Sequence, residues 1–263
     1  MKDAQALDFG IITSIALALI PCVIISFIIK EREMQLKHMQ VISGVSLPAY
    51  WLSNMISDMI KTYIPIFIIM LLMLAFSLEY EGSYYLLLLY PVAIVPFTYV
   101  TSSFFTSDVI AQILTLFVHF MVGGILPLVI YFLQIIPSTA TLGDSMRYWF
   151  TFIPTYCVGQ GIVWSATYES LVTFRNAAIN APNDKYAKYD LQPIDTELYS
   201  FKNLGFNFFM MLLCGVVYML LLILIEADIF QCCSKFSCKS LPPPKHDLDL
   251  DDDVIAEHKR LEK

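Results

Sequence analysis

The chain has 263 residues, 57% of them hydrophobic and only 15% charged, with a mean hydropathy of +0.66. Soluble domains carry about 25% charged residues, so this composition excludes a water-soluble enzyme and a disordered chain alike. The net charge is −7, of which residues 247–263 supply −4 (seven acids against three bases), and the nearly neutral remainder offers no basic face for nucleic acid.

A bilayer core of about 30 Å needs roughly 20 apolar helical residues. Five segments qualify: residues 9–29, 50–78, 83–107, 109–136 and 203–229. The second carries Asp58 and Lys61 in its first half, and Pro21, Pro65, Pro91, Pro96 and Pro127 interrupt the series. Membrane helices tolerate such prolines where neighbouring helices satisfy the freed carbonyls. The pattern predicts an all-α polytopic membrane protein, multi-pass and packed as a bundle. Residues 1–8 form an exoplasmic stub, 9–229 the transmembrane domain and 230–263 a cytosolic linker.

Loop charges predict the orientation. Lys30, Arg32, Lys37 and His38 follow the first span and place residues 30–45 in the cytosol. Glu79 and Glu81 mark the opposite side, and Ser107 or Asp108 is placed to cap the fourth span. Residues 137–202 then face outward and the tail returns to the cytosol. This puts the N-terminus outside, although residues 1–8 hold no signal peptide. The expectation is a fragment or split half preceded by a further span. Residues 148–168 are uncharged but contain Pro154, Gly159, Gln160 and Gly161. They read either as a sixth span or as a broken re-entrant or interfacial helix pair, and the Pro and Gly breaks favour the pair.

Chemistry-bearing motifs are sparse. No phosphate-cradling G-x-x-x-x-G-K-[ST] occurs, and neither His-Glu-x-x-His nor Gly-x-Ser-x-Gly is found. No catalytic residue, metal site or nucleotide site is therefore assigned to these residues. Cys232, Cys233 and Cys238 crowd together after the last span but supply one ligand too few for zinc, so inert thiols or lipidation are the readings left. His119 lies inside the fourth span, where an ionisable group is a functional candidate by default. A neutral imidazole bonded across a helix interface explains it more simply. Residues 30–45 read as one short surface helix with mixed faces, ending at Ser43-Gly44.

Four blocks carry a family resemblance. Glu31-Arg32 and Lys37-His38-Met39-Gln40-Val41-Ile42-Ser43-Gly44-Val45 come first, followed by Tyr50-Trp51-Leu52-Ser53-Asn54 with Asp58. Further on stand Pro154-Thr155-Tyr156-Cys157-Val158-Gly159-Gln160-Gly161 and the acidic run Asp251-Asp252-Asp253-Val254-Ile255-Ala256-Glu257-His258-Lys259-Arg260. In this order they resemble the second transmembrane half of the A subfamily of ATP-binding-cassette (ABC) transporters, lipid exporters with an ABC-2 (type V exporter) membrane domain. The resemblance implies five spans plus an exoplasmic re-entrant helix pair, and a linker running towards a nucleotide-binding domain outside this chain.

It also implies a mechanism. ATP and Mg belong to the full transporter, whose nucleotide-binding domains and other transmembrane half are the expected partners, together with membrane lipids. Residues 30–45 stand where the family places a coupling helix, with Glu31, Arg32, Glu33, Lys37, His38, Met39 and Gln40 as contacts to the ATPase domain. Trp51, Asn54 and Asp58 share one face of the next helix and would relay its movement. The simpler reading of Asp58 is that Lys61, at i+3, satisfies it. The rival functions are an ATP-independent helical channel or carrier, and an integral membrane enzyme.

Overall fold

A computed structural model describes residues 2–78, 80, 82–180, 191–195 and 197–237, with side chains omitted at 2–7, 38, 47 and 227–237. Two compact units divide the chain, 1–222 and 223–263. In the second, residues 223–237 are described and are helical.

Helices dominate because long uncharged runs can satisfy their backbone only internally when water is excluded. In chain order they are α1 (Lys2–Glu33), α2 (Leu36–Ile42), α3 (Leu47–Ala75), α4 (Ser83–Ser102), α5 (Asp108–Phe120), α6 (Leu126–Ile135), α7 (Ala140–Met146), α8 (Pro154–Ile179) and α9 (Phe206–Ser237). A π-helical turn, Met121–Ile125, joins α5 to α6, and a second, Phe201–Gly205, precedes α9. Five stretches are long and apolar enough to cross a membrane: Asp8–Glu33, Pro48–Ala75, Ser83–Ser102, Asp108–Ile135 and Phe201–Glu226. They match the five predicted spans, and the protein is an integral multi-pass membrane protein.

Burial sorts the spans into an inner and an outer set. In α4 67% of the most apolar window is buried, against 22% in α3 and in the last span. α1 packs on α5, α8 and α4, and α8 also meets α4 and α6. Residues 154–164 of α8 are buried without exception. The outward faces of α3 and α9 carry Ile60, Phe67, Leu71, Val216 and Leu220, all exposed apolar side chains suited to lipid contact.

Three of the helix prolines free carbonyls that lie against another helix. A proline at position i cannot donate to the carbonyl at i−4. Pro21 frees the Leu17 carbonyl, which accepts a 3.1 Å bond from the Tyr90 hydroxyl of α4. Pro96 frees Val92, and Pro127 frees Gly123, within the π-helical turn. Each of these two carbonyls faces a glycine on another helix. A methyl group on Gly215 would lie 2.9 Å from the Val92 oxygen, and one on Gly159 only 2.0 Å from that of Gly123.

Most of residues 148–168 lie in one continuous helix. Their glycines do not break a helix pair; α8 runs unbroken from Pro154 to Ile179, and the glycines let other helices come close. Pro154 sits at the helix start, where its missing N–H is harmless. His119 is buried, and its Nδ1 lies 2.5 Å from the Thr155 hydroxyl of α8, the cross-helix bond expected for a neutral imidazole.

Candidate functional site

The spans meet at two ends. At one, α1 stops and the short α2 lies between α1 and α3. The predicted single helix over 30–45 is interrupted here: Gln35 adopts a left-handed conformation with φ 57°, and Gly44, at φ 101°, ends the excursion. α2 is thus a separate seven-residue piece.

The charged residues expected to reach outward instead bond within the bundle. The Tyr50 hydroxyl donates to Glu31 Oε2 at 2.6 Å. Arg32 Nη1 donates to the Ser102 carbonyl at 3.1 Å and the Phe105 carbonyl at 3.4 Å, holding the last turn of α4. Glu33 Oε1 accepts the Asp108 backbone N–H at 3.3 Å, while Lys30 pairs with the Asp108 carboxylate at 3.6 Å. The predicted cap is corrected accordingly. Ser107 is the N-cap residue of α5 but makes no capping bond, and the orphan N–H is met by the Glu33 carboxylate of α1. Lys37 stands over the Trp51 ring at 4.8 Å and the Tyr50 ring at 5.6 Å.

α2 turns other groups outward. Met34, Leu36, Met39 and Ile42 are exposed apolar side chains, with Met39 at 64% and Ile42 at 72%, and Gln40 is exposed beside them. His38 belongs to the helix, but its side chain lies outside the described residues. Of the predicted contacts, Met39 and Gln40 face out, Arg32 and Glu33 are exposed yet already bonded, and Glu31 and Lys37 are half-buried. Ile42 was legible as an apolar position six residues beyond Leu36, with Met39 midway, but the adjacent charges drew the reading.

The predicted relay residues do share a face, and it packs against α4. Trp51 is buried with its ring 5.0 Å from that of Tyr99. The Tyr99 hydroxyl donates to Asp58 Oδ2 at 2.7 Å. Lys61 Nζ donates to Asp58 Oδ1 at 3.0 Å and stands 5.0 Å from the Phe27 ring of α1. Asp58 is thus held both by Lys61 on its own helix and by Tyr99 of α4. Asn54 lies between Trp51 and Asp58, and its Nδ2 has no hydrogen-bond partner among the described residues. Tyr99 is the residue that sequence reasoning missed, because nothing local marks a tyrosine 41 positions away as the partner of Asp58.

At the other end, α8 and α9 are clamped by reciprocal bonds. Cys157 Sγ donates to the Asn207 carbonyl at 3.3 Å, and Asn207 Nδ2 donates to the Cys157 carbonyl at 2.8 Å and Gln160 Oε1 at 2.7 Å. The Pro-x-x-Cys-x-Gly-x-Gly segment thus contributes helix contacts rather than chemistry. Arg175 is buried and paired with Asp144 at 2.8 Å. Among the described residues no group of three or more His, Cys, Asp or Glu is placed to hold a metal ion. Cys238 and the block 251–260 lie outside the described residues, as do the side chains of Cys232 and Cys233.

Comparison with known proteins agrees with this architecture. Residues 5–224 match the family described as ABC-2 family transporter protein. The chain is 28% identical over 243 residues to the phospholipid-transporting ATPase ABCA3 of Homo sapiens, covering 88% of this chain and 14% of that protein. It is 26% identical over 257 residues to the retinal-specific phospholipid-transporting ATPase ABCA4 of Bos taurus, covering 94% and 10%. Similarity to the glucosylceramide transporter ABCA12 of Mus musculus is 25% over 253 residues, covering 90% and 9%. The chain thus spans about a tenth to a seventh of the length of these relatives.

Proposed function

The chain belongs to the ABC-2 family of transporter proteins, and we propose that it is one membrane-spanning half of an ATP-driven exporter of lipid or another amphipathic substrate. The ATP-hydrolysing domains and the second half are supplied by sequence outside these residues. ATP and Mg bind there, and this chain is not itself an ATPase. Lipid is the class supported by the relatives, whose names record phospholipid and glucosylceramide transport.

One observation carries the mechanical part. The end of α1 is fastened to α3, α4 and α5 through Glu31–Tyr50, Arg32–Ser102 and Glu33–Asp108, and α2 follows that end directly and stacks Lys37 on Trp51 of α3, while its apolar side chains face away. A push on α2 reaches α1 and α3 directly, and α4 and α5 through the bonded end of α1. The exposed Met39 and Ile42 form the surface that an ATPase domain would press on, and apolar anchors at such a surface dominate binding. Glu31, Arg32, Glu33 and Lys37 act one step inside it, passing the displacement to the bundle. Trp51, Asn54 and Asp58 carry it on to Tyr99 of α4.

The test is a pair of variants in a transporter reassembled with a complementary half and ATPase domains. Met39→Asp with Ile42→Asp should uncouple ATP turnover from phospholipid movement in proteoliposomes, with normal membrane insertion. Glu31→Ala with Arg32→Ala should impair both. Wild-type lipid movement by both double variants would refute the assignment, and lipid movement without any ATPase domain would favour a carrier.

A further inference from the structure

Two buried arginines stand near the same end of the bundle, and they differ in one respect. Arg175 has a carboxylate, Asp144, at 2.8 Å. Arg147 has none among the described residues, although its exposure is only 3%. Its Nη2 donates to the Asn203 carbonyl, and its guanidinium carbon stacks 3.6 Å from the centre of the Trp164 ring. Among the described residues its Nε–H has no partner, and neither has the indole N–H of Trp164, also 3% exposed. Asp144 acts on it only from beyond ion-pair distance, and a buried cation without a close counter-charge is costly. Two orphan donors beside it add to that cost.

Both side chains line one cavity of about 140 Å³, together with Tyr148, Lys202, Asn203 and the 192–195 segment. Asp144 and Asp195 line it too, but their carboxylates are engaged elsewhere. Asp144 is held by Arg175 and by Gln134 Nε2 at 3.0 Å, and Asp195 Oδ2 accepts from Ser200 at 2.7 Å. What the cavity offers is basic side chains: Arg147 and Lys202 both line it. Burial lowers the Arg147 guanidinium to about 10, so it remains a cation at neutral pH. The volume suits a phosphate group and not a whole lipid. Next in sequence to Tyr148 and Lys202 stand Trp149 and Phe201, 68% and 60% exposed, the aromatic side chains that settle at a membrane–water interface.

We propose that the Arg147–Trp164–Lys202 cavity is a phosphate-binding site, taking the phosphate of a phospholipid headgroup at the membrane surface or a free phosphate of the same charge. The site deepens the lipid-exporter reading and rests on it only for the headgroup as the source. Arg147 supplies the charge, held in place by its stack on Trp164 and its bond to the Asn203 carbonyl. Lys202 adds charge from the solvent side.

The test uses the full chain in neutral detergent with Trp51→Phe and Trp149→Phe, which leaves Trp164 as the single tryptophan of the three. Trp164 emission is titrated with dihexanoylphosphatidic acid, with dihexanoylglycerol lacking the phosphate, and with inorganic phosphate. A saturable change is expected with phosphatidic acid and none with dihexanoylglycerol. An equal response to inorganic phosphate assigns the site to the free anion; a response to phosphatidic acid alone assigns it to the headgroup. Arg147→Lys should weaken binding about tenfold, because a bidentate-capable fork becomes a point charge. Lys202→Met, at an exposed position, should weaken it several-fold and serves alone if the Arg147 variant does not fold. Absence of any saturable response to either anion, an equal response to dihexanoylglycerol, or wild-type affinity in Lys202→Met together with Arg147→Lys overturns the proposal. No ATP or transport enters the measurement, so its failure leaves the coupling role of α2 standing.

Discussion

Glu31 and Tyr50 lie 19 residues apart and are joined by a 2.6 Å hydrogen bond from the hydroxyl to the carboxylate. The bond closes the excursion α1–α2–α3 into a ring, so that α2 cannot swing without pulling on two spans. A half-buried bond to a charged acceptor contributes about 1–2 kcal/mol. Tyr50→Phe and Glu31→Ala should each lower thermal stability in detergent, and the double variant should cost less than their sum by about 1 kcal/mol. Additive losses in that cycle would show that the two side chains do not communicate.

Tyr99→Phe removes the hydroxyl that Asp58 accepts deep between α3 and α4 while Lys61 remains. The expected loss is about 2 kcal/mol, since the carboxylate is buried and no other described donor replaces the phenol. Asp58→Asn, which keeps an acceptor for Tyr99 but weakens the Lys61 contact, should cost less. Fluorescence-detected melting of the two variants gives the order, and a larger loss for Asp58→Asn would contradict it.

Glycine replacements separate backbone strain from steric contact. At Gly44 an added methyl meets nothing within 4 Å, and the cost is the left-handed backbone alone, about 1 kcal/mol. At Gly159 the same methyl meets the Gly123 carbonyl at 2.0 Å, so α8 must move off the α5–α6 span at a cost of about 3 kcal/mol. Gly159→Ala should therefore reduce the yield of folded protein where Gly44→Ala does not.

Those glycines also show where sequence reading stopped. The five spans were legible because about 20 uncharged residues in a row have one economical structure in a bilayer. Gly159 and Gly161 were read as breaks, since a glycine that permits close approach and one that ends a helix look the same without the neighbour. Here the neighbours are Gly123 and Leu86, tens of residues away. The charges of 31–37 were read as a docking surface for a similar reason. Arg32 finds its acceptors at Ser102 and Phe105, 70 and 73 residues on, and no local pattern announces them. Asp58 and Lys61, only three residues apart, were paired correctly.

Orientation can be measured on positions that the fold leaves exposed. Ser43 lies at the α2 end and Ser145 in α7 near the opposite end, and both are exposed. On a cysteine-free background in intact cells, Ser145→Cys should react with an impermeant maleimide and Ser43→Cys should react only after permeabilisation. The reverse pattern would invert the orientation that the loop charges predict.

The isolated chain should not retain labelled ATP at micromolar concentration, because no phosphate-cradling loop is encoded in these residues. Filter binding on the purified chain checks this directly. Saturable retention would mean that nucleotide chemistry resides in the spans themselves.

Where the Gly123 carbonyl lies against Gly159, two backbones approach with no side chain between them, the closest point about which the span could turn. Gly123 stands about 22 Å from the start of α5 and about 16 Å from Gln134, at 1.5 Å per residue. A helix pivoting there shortens a displacement instead of enlarging it, so a push of about 2 Å near Asp108 arrives as about 1.5 Å of opposite sign beside Gln134 and Asp144. The leverage favours force over reach, which suits prising apart a tightly packed end more than opening a wide channel.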